Sequence, residues 1–474
     1  MTHLVWFRND LRTADNAALT AASQSDQPVI ACFVLAQEQW RMHDWSPARI
    51  RLVIDHANAL AEALAKLGIA MHFLEAQQFD DSQDALIRLC HDQSVTTVHF
   101  NEEYGVNERR RDKQLAQRLG EAGVTIHKYR DQCAVPVGQI LTGQNQPYSV
   151  FTPFSRTWRR WLDDQQPTLY PQPAAKGDPV TPSRIDPTPI AGYDQAPPPL
   201  VATGEAAAHD RLEEFLADPV AHYKQQRDFP AKDATSLLSP YLASGILSGR
   251  QCWAAAQQVP ATAANQEGLA CWVNEIAWRD FYIHILYHFP RVSMNRAFKP
   301  ETEALDWNSC GESFEAWKEG RTGVPIVDAA MRQLNQTGWM HNRLRMITAM
   351  YLSKNLFIDW RLGEAYFMSQ LVDGFLASNN GGWQWSASTG TDAAPYFRIF
   401  NPVTQGERFD PNGDFIRRYV PELAALDGDA VHQPWRSGKL PKGYPRQLVD
   451  LKKSRKEAIA RFQALKEENQ VAAD

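Results

Sequence analysis

Over the first 130 residues, short runs rich in β-branched and aromatic residues alternate with longer stretches in which apolar residues return every three or four positions. The runs at 3–7, 29–35, 70–74, 97–100 and 125–129 have strand length and composition. Within 49–67, Ile50, Val53, Ile54, Ala57, Leu60, Ala61, Leu64 and Leu67 mark one face of a helix, and Gly68 supplies its left-handed end. Strand and helix in alternation predict a doubly wound parallel sheet. Such sheets take ligands at the carboxyl ends of their strands. Yet no G-x-G-x-x-G follows the first run and no G-x-x-x-x-G-K-[ST] occurs, so neither a conventional dinucleotide site nor a P-loop is expected.

The pattern changes at about residue 131. Prolines at 167, 171, 173, 179, 182, 187, 189 and 197–199 break both periods, and 131–205 reads as a long linker. From about 206 helical spacing dominates, with Trp, Phe and Tyr at three- and four-residue intervals in 271–289 and 326–356. The expected architecture is α/β plus all-α, with an α/β domain at 1–130, a linker at 131–205 and a helical domain at 206–474. The charged end, 452–474, reads as a terminal helix with a fraying tail.

Composition sharpens this picture in three places. Hydrophobic residues make up 44% and charged residues 22%, which excludes long disorder, and 15 Trp, 14 Tyr and 21 Phe are an unusual aromatic load. The net charge is −6, from 49 basic and 55 acidic side chains, so a nucleic-acid partner must be met by a local basic surface. Six cysteines without a C-x-x-C pair read as reduced intracellular thiols, and no metal is expected. Charges stand too early for a signal peptide and no run approaches the ~18 apolar residues of a membrane helix, so the expectation is a soluble, cytoplasmic protein.

Four segments can carry chemistry. Ser378-Asn379-Asn380-Gly381-Gly382-Trp383-Gln384-Trp385 combines amides, glycines and indoles, and reads as a loop whose backbone can approach a flat ligand; Asn and Gly are equally ordinary turn residues. A second irregular run, 389–402, follows directly, and the two together suggest a cavity rim. In 337–346 a helix begins and sets Asn342, Arg345 and Met346 near one face, a pattern that a core Met with two solvated arginines also gives. His341 alone does not make a metal site. In 272–282, Glu275, Trp278, Arg279 and Tyr282 share a stripe, where a carboxylate and a guanidinium need partners if the stripe is core.

With Trp6-Phe7-Arg8-Asn9-Asp10-Leu11-Arg12 at the N-terminus, followed in order by the 274–282, 337–346 and 379–385 strings, the chain resembles the DNA photolyase/cryptochrome flavoprotein family, and specifically its bacterial class I branch acting on cyclobutane pyrimidine dimers. The resemblance runs from residue 2 to about residue 435. It implies an N-terminal antenna domain, a linker, and a helical domain that binds FAD in a folded form and repairs UV-damaged DNA with light, as a carbon–carbon lyase. A monomer without an obligatory protein partner is expected.

The resemblance also implies residue roles. Thr235, Ser236, Leu237, Leu238 and Ser239 lie before a helical stretch and hold the diphosphate; the family often has Arg at the position of Leu237. Tyr223, Trp272, Asn342, Asp373, Gly374 and Phe375 line the flavin, and Asn379 faces its N5. Trp383, Trp360 and Trp307 form an electron-transfer chain. Glu275, Trp278, Tyr282, Asn342, Met346 and Trp385 meet the lesion, with Arg227, Arg343 and Gln405 near the DNA backbone. Glu275 is also given a catalytic role, as a hydrogen-bond donor when protonated. His43, Asn107 and Glu108 match an antenna site for a reduced folate, 5,10-methenyltetrahydrofolate, although 293–295 lacks the Lys that often closes it.

Three alternatives are disfavoured. A cryptochrome-type photoreceptor commonly carries a long C-terminal extension, and only a short segment follows Trp435 here. A (6-4) photolyase has two histidines where this chain has Asn342 and Met346, so this chain lacks the general acids that chemistry needs. Relatives that prefer single strands tend to replace the second of the two tryptophans at 383 and 385.

Overall fold

The computed structural model describes residues 1–438 and 440–471. Five parallel strands, β1 (Thr2–Phe7), β2 (Val29–Ala36), β3 (Ala70–Ala76), β4 (Val95–Asn101) and β5 (Thr125–Tyr129), form one sheet in the order β3-β2-β1-β4-β5. Val5 pairs with Ala31 on one side and His99 on the other. The direction of chain progression reverses at β1, so right-handed crossovers send the connecting helices to both faces. On one face Leu4, Trp6, Cys32, Val34, Val98 and Phe100 pack with Leu86, Leu89, Leu115 and Leu119 from the helices Phe79–Asp92 and Val106–Glu121. Helix Pro47–Lys66 starts on the Ser46 cap, and all the expected face residues from Ile50 to Leu64 are buried. Gly68, at φ +73°, turns the chain out of it. The exposed His127 and Lys128 protect the outer strand β5 from further pairing.

The sheet's switch point lies between β1 and β4. Arg8, Asp10, Asn101 and Glu103 line the cleft there, together with Asp131 and Arg279. Its charges find partners within the chain: Arg8 pairs with Asp112 at 2.8 Å, Arg111 with Glu103 at 2.9 Å, and Arg12 and Arg250 with Asp131. Burial alone would raise Glu103, but Arg8 and Arg111 hold it well below the usual carboxylate range.

Packing divides the chain into two compact units. The first comprises Met1–Lys224, Ser236–Pro290 and Val372–Phe375; the second comprises Gln225–Thr235, Arg291–Leu371 and the described residues from Leu376 onward. The second unit is helical, around a core that includes Trp317, Met331, Leu334, Tyr351, Trp360, Trp383 and Phe415. The last helix, Leu451–Val471, brings Ala458, Phe462 and Leu465 against Leu305 and Phe357, so the charged end is a packed helix as far as it is described.

Two expectations need correction. The 131–205 stretch, read as a linker, contains a helix: Phe151–Gln165 buries Phe154, Trp158 and Leu162, and the proline-dense run from Pro167 follows it. The 378–385 segment is not a loop but the middle of helix Leu376–Ala387. Glycine in a helix costs about 1 kcal/mol relative to Ala. Here that is offset by burial of the Trp383 indole and by an Asn380–Gln384 hydrogen bond of 2.9 Å one turn apart.

Candidate functional site

In the first unit, Tyr223 and Trp272 are both buried and both pack on Phe215, with ring centroids at 5.6 and 5.4 Å. The helix after the 235–239 string, Ser239–Ala243, is only five residues long, so its dipole contributes little to a diphosphate site. The local backbone takes its place. Leu237 is left-handed (φ +53°) and Leu238 right-handed (φ −86°, ψ −8°), an alternation that turns successive N–H groups toward one concavity suited to an anion. A left-handed residue with a side chain costs roughly 1–2 kcal/mol, so the surrounding structure must enforce it; Arg211 Nε donates to Ser236 O at 2.9 Å beside it. Leu237 adds no charge, so any anion at this turn would meet backbone donors. Asp373 is buried and feels the Arg49 guanidinium, which burial lowers to about 10. The Arg279 guanidinium lies 5.3 Å from the Phe375 ring. The donor concavity, the buried carboxylate and the aromatic walls suit a cofactor with a diphosphate, a ribityl chain and a flat ring.

Helix Gln266–His288 carries Glu275, Trp278, Arg279 and Tyr282 on one stripe, as the spacing predicts. The Trp278 indole lies flat on Phe151, centroids 3.6 Å apart at 7°, with Tyr282 at 5.6 Å, and it stays half-buried. Phe151 fixes the indole plane from below. Arg279 donates to Gln132 O at 2.8 Å and Leu242 O at 3.1 Å, which gives the stripe's guanidinium its buried partners. The adjacent Asp280 takes hydrogen bonds from Trp158 Nε1 and Val135 N, and burial raises it to about 6.

In the second unit, a chain of amides fixes helix Leu376–Ala387. Asn379 Nδ2 donates to Glu364 O and Asn380 Nδ2 to Glu364 Oε1, both at 3.0 Å; the Phe298 N–H donates to Gln384 Oε1 at 2.7 Å. With its nitrogen committed, Asn379 offers its carbonyl oxygen as acceptor, the polarity needed opposite a ring N–H. The three tryptophans follow the start of helix Trp360–Gln370. Trp307 packs on Phe357 at 4.8 Å, and Asn308 N donates to Phe357 O at 2.8 Å, tying Trp307 to the chain just before Trp360. One turn after Trp360, Gly363 admits the Trp383 ring: a Cβ at Gly363 would lie 2.1 Å from Trp383 Cη2. Trp360 and Trp383 are buried with partnerless indole N–H groups, whereas Trp307 is half-buried.

Helix Asn342–Met350 starts on His341, whose Nδ1 accepts from Arg343 N at 3.2 Å; burial lowers this imidazole to about 4, so it stays neutral. Asn342 is exposed, with Met346 one turn on. Arg343 is not a free solvated cation: it pairs with Asp228 at 2.8 Å, lies 4.5 Å from the Phe409 ring, and shares Asp228 with Arg227 at 3.8 Å. Phe409 and Gln405 stand one turn apart on helix Pro402–Phe409. Trp385 is half-buried near the end of its helix.

His43, Asn107 and Glu108 form a cluster in the first unit. His43 Nε2 is 2.9 Å from Gln39 Nε2 and 3.2 Å from Asn107 Nδ2, which leaves Nδ1 to carry the proton, 3.6 Å from Glu108. Phe79 closes edge-on against His43. Burial and the Glu103 carboxylate raise Glu108. Sequence reasoning missed Phe151, Asp228, Phe409 and Glu364. Asp228 adjoins Arg227 and was legible as a charge partner; Phe151 and Phe409 lie far along the chain from the residues they hold, and Glu364 is on the helix before Asn379.

A family model described as DNA photolyase matches residues 3–174, and one described as FAD binding domain of DNA photolyase matches residues 272–464. The chain belongs to the DNA photolyase family. A protein of Escherichia coli named deoxyribodipyrimidine photo-lyase is 44% identical to it over 98% of both chains. A bacterial class III photolyase from Agrobacterium tumefaciens superposes with a TM-score of 0.83 at 35% identity, covering 98% of each chain. A Synechocystis cryptochrome superposes with a TM-score of 0.85 at 28% identity, covering 97% of this chain and 98% of its own.

Proposed function

We propose that this protein is a light-driven deoxyribodipyrimidine photo-lyase that splits cyclobutane pyrimidine dimers in UV-damaged DNA. The observation that carries this reading is the near-full-length 44% identity to the E. coli protein of that name. FAD, when bound and reduced, supplies the photoexcited electron donor. The backbone concavity at Leu237–Leu238 receives its diphosphate, and Asn379 accepts from its ring N–H. A dimer stacks and pairs poorly, so extruding it costs less than flipping an intact pair, and photolyases as a class are standard examples of enzymes that flip their target out of the stack. Trp278, held flat by Phe151, and Trp385 offer ring faces to the extruded bases, each stack worth about 1–3 kcal/mol. Asn342 hydrogen-bonds the base edges, and Glu275, when protonated, donates to a pyrimidine carbonyl as charge arrives. Arg227, Arg343 and Gln405 engage the phosphates, which give affinity while the lesion's shape gives specificity.

Trp383, Trp360 and Trp307 pass a hole outward to the half-buried end. The partnerless N–H groups of the two inner indoles leave no buried base to trap a proton, which favours onward transfer. The cluster of His43, Asn107 and Glu108 takes a reduced folate as antenna. A cytoplasmic, monomeric protein completes the reading; the described cysteines are all free, and no described helix is long and apolar enough to cross a membrane. The test is dimer loss from irradiated DNA incubated with the reduced protein in blue light and in darkness. Light-dependent loss of cyclobutane dimers supports the reading; equal loss in both, or loss of (6-4) lesions only, refutes it. Folate absorbance that disappears in Glu108→Gln supports the antenna assignment, and its absence from parent protein incubated with the folate and freed of excess refutes it.

A further inference from the structure

Lys354 is fully buried in the second unit, within a π-helical turn, Tyr351–Asn355, at the end of helix Asn342–Met350. Single π turns in α-helices often stand at functional positions. Its Nζ donates to Ser388 Oγ at 2.7 Å and lies 3.9 Å from the Phe462 ring centroid on the C-terminal helix. Burial, then Lys299, pushes this amine well below its ordinary range. A buried amine with a single oxygen partner costs stability, because unfolding returns it to water. Packing alone therefore does not account for a lysine at this position.

Its partner stands at a consequential point. Ser388 follows helix Leu376–Ala387 and is left-handed at φ +65°. Its Oγ donates onward to Ala394 O at 2.6 Å, while Ser388 N and Ala394 N donate to Trp385 O at 3.3 and 3.2 Å. Thr389 N and Gly390 N both cap Gln384 O at 3.1 Å. The turn 388–394 thus satisfies the carbonyls that end the helix bearing Trp385, and Lys354 holds that turn through one hydroxyl.

We propose that Lys354 is a positioning residue for lesion binding: through Ser388 it fixes the turn that ends the Trp385 helix and so sets the attitude of the Trp385 ring. This rests on Trp385 being a stacking face for the lesion. Binding of flavin-loaded protein to an oligonucleotide with one thymine dimer, and to its undamaged counterpart, tests it in a double-mutant cycle. Lys354→Met keeps the stem and removes the amine. It should weaken dimer binding by about threefold or more, up to the loss in Trp385→Ala, because a stack is worth at most on the order of a hundredfold. Undamaged-DNA binding and flavin photoreduction should not change, and the unfolding temperature should not fall. In a Trp385→Ala background Lys354→Met should add no further loss. Ser388→Ala removes the same link from the other side and carries the test should Lys354→Met not fold. Parental dimer binding in the folded variants, or a loss that adds fully to that of Trp385→Ala, overturns the proposal. If Trp385→Ala itself binds the dimer normally, the stacking role of Trp385 fails, and the proposal fails with it for that separate reason.

Discussion

Gly363→Ala perturbs the inner end of the proposed electron-transfer chain without substituting any of its three indoles. The added Cβ would sit 2.1 Å from Trp383 Cη2, 2.5 Å from Cζ3 and 2.7 Å from Leu352 Cδ2, so reaching an ordinary contact of 3.4 Å requires the ring to retreat by about 1.3 Å. Trp383 is only 2% exposed in a close-packed core, so no void is available to receive it. Overpacking of this kind costs about 1–3 kcal/mol, and replacing glycine in a helix returns about 1 kcal/mol. The net of roughly 0–2 kcal/mol should lower the melting temperature by no more than about 8 °C, leaving the protein folded. A displaced Trp383 should slow light-driven reduction of oxidised flavin, measured as the decay of flavin absorbance in blue light with an external reductant. Chemically reduced Gly363→Ala should still repair dimers. Photoreduction at the parental rate would refute the placement of Trp383 against Gly363 as part of the relay.

Other expectations follow from the same geometry. Trp307→Phe keeps ring volume and removes the most oxidisable group at the outer end, so photoreduction should fall sharply while repair by chemically reduced protein persists; the two rates are read in one light titration. Trp278→Ala should weaken dimer binding by about 1–3 kcal/mol with photoreduction intact, measured by anisotropy on damaged DNA. Asp228→Asn releases Arg227 and Arg343 from their shared carboxylate, so affinity for undamaged DNA should rise and its salt dependence steepen; an unchanged salt slope would count against phosphate contacts by these arginines. Burial raises Asp280 to about 6, so its contribution to stability is present below the ordinary Asp value and is lost as pH rises through 6. Asp280→Asn should flatten that part of the pH–stability curve in urea melts.

The periodicities of the first 130 residues were enough to specify five strands, their parallel pairing and the buried face of helix Pro47–Lys66, because a half-buried strand and an amphipathic helix write their periods locally. The ordered strings around Trp6, Glu275, Asn342 and Asn379 were enough to place the chain in its family. Local chemistry misled at 378–385, where Asn and Gly signal a turn; burial of Trp383, hydrogen bonds to Glu364 on the preceding helix and a bond within the helix outweigh that preference, and the first two depend on tertiary packing. Helix Phe151–Gln165 was hidden for a related reason, since the prolines after it colour the whole segment. Only the tertiary structure showed that Phe151 lies flat under Trp278, that Asp228 holds two arginines assigned to DNA, that Gly363 makes room for Trp383, and that Lys354 is buried against Ser388. Apart from the neighbouring Arg227–Asp228 pair, each joins residues well separated in the chain or depends on space left by a missing side chain, and a one-dimensional pattern records neither.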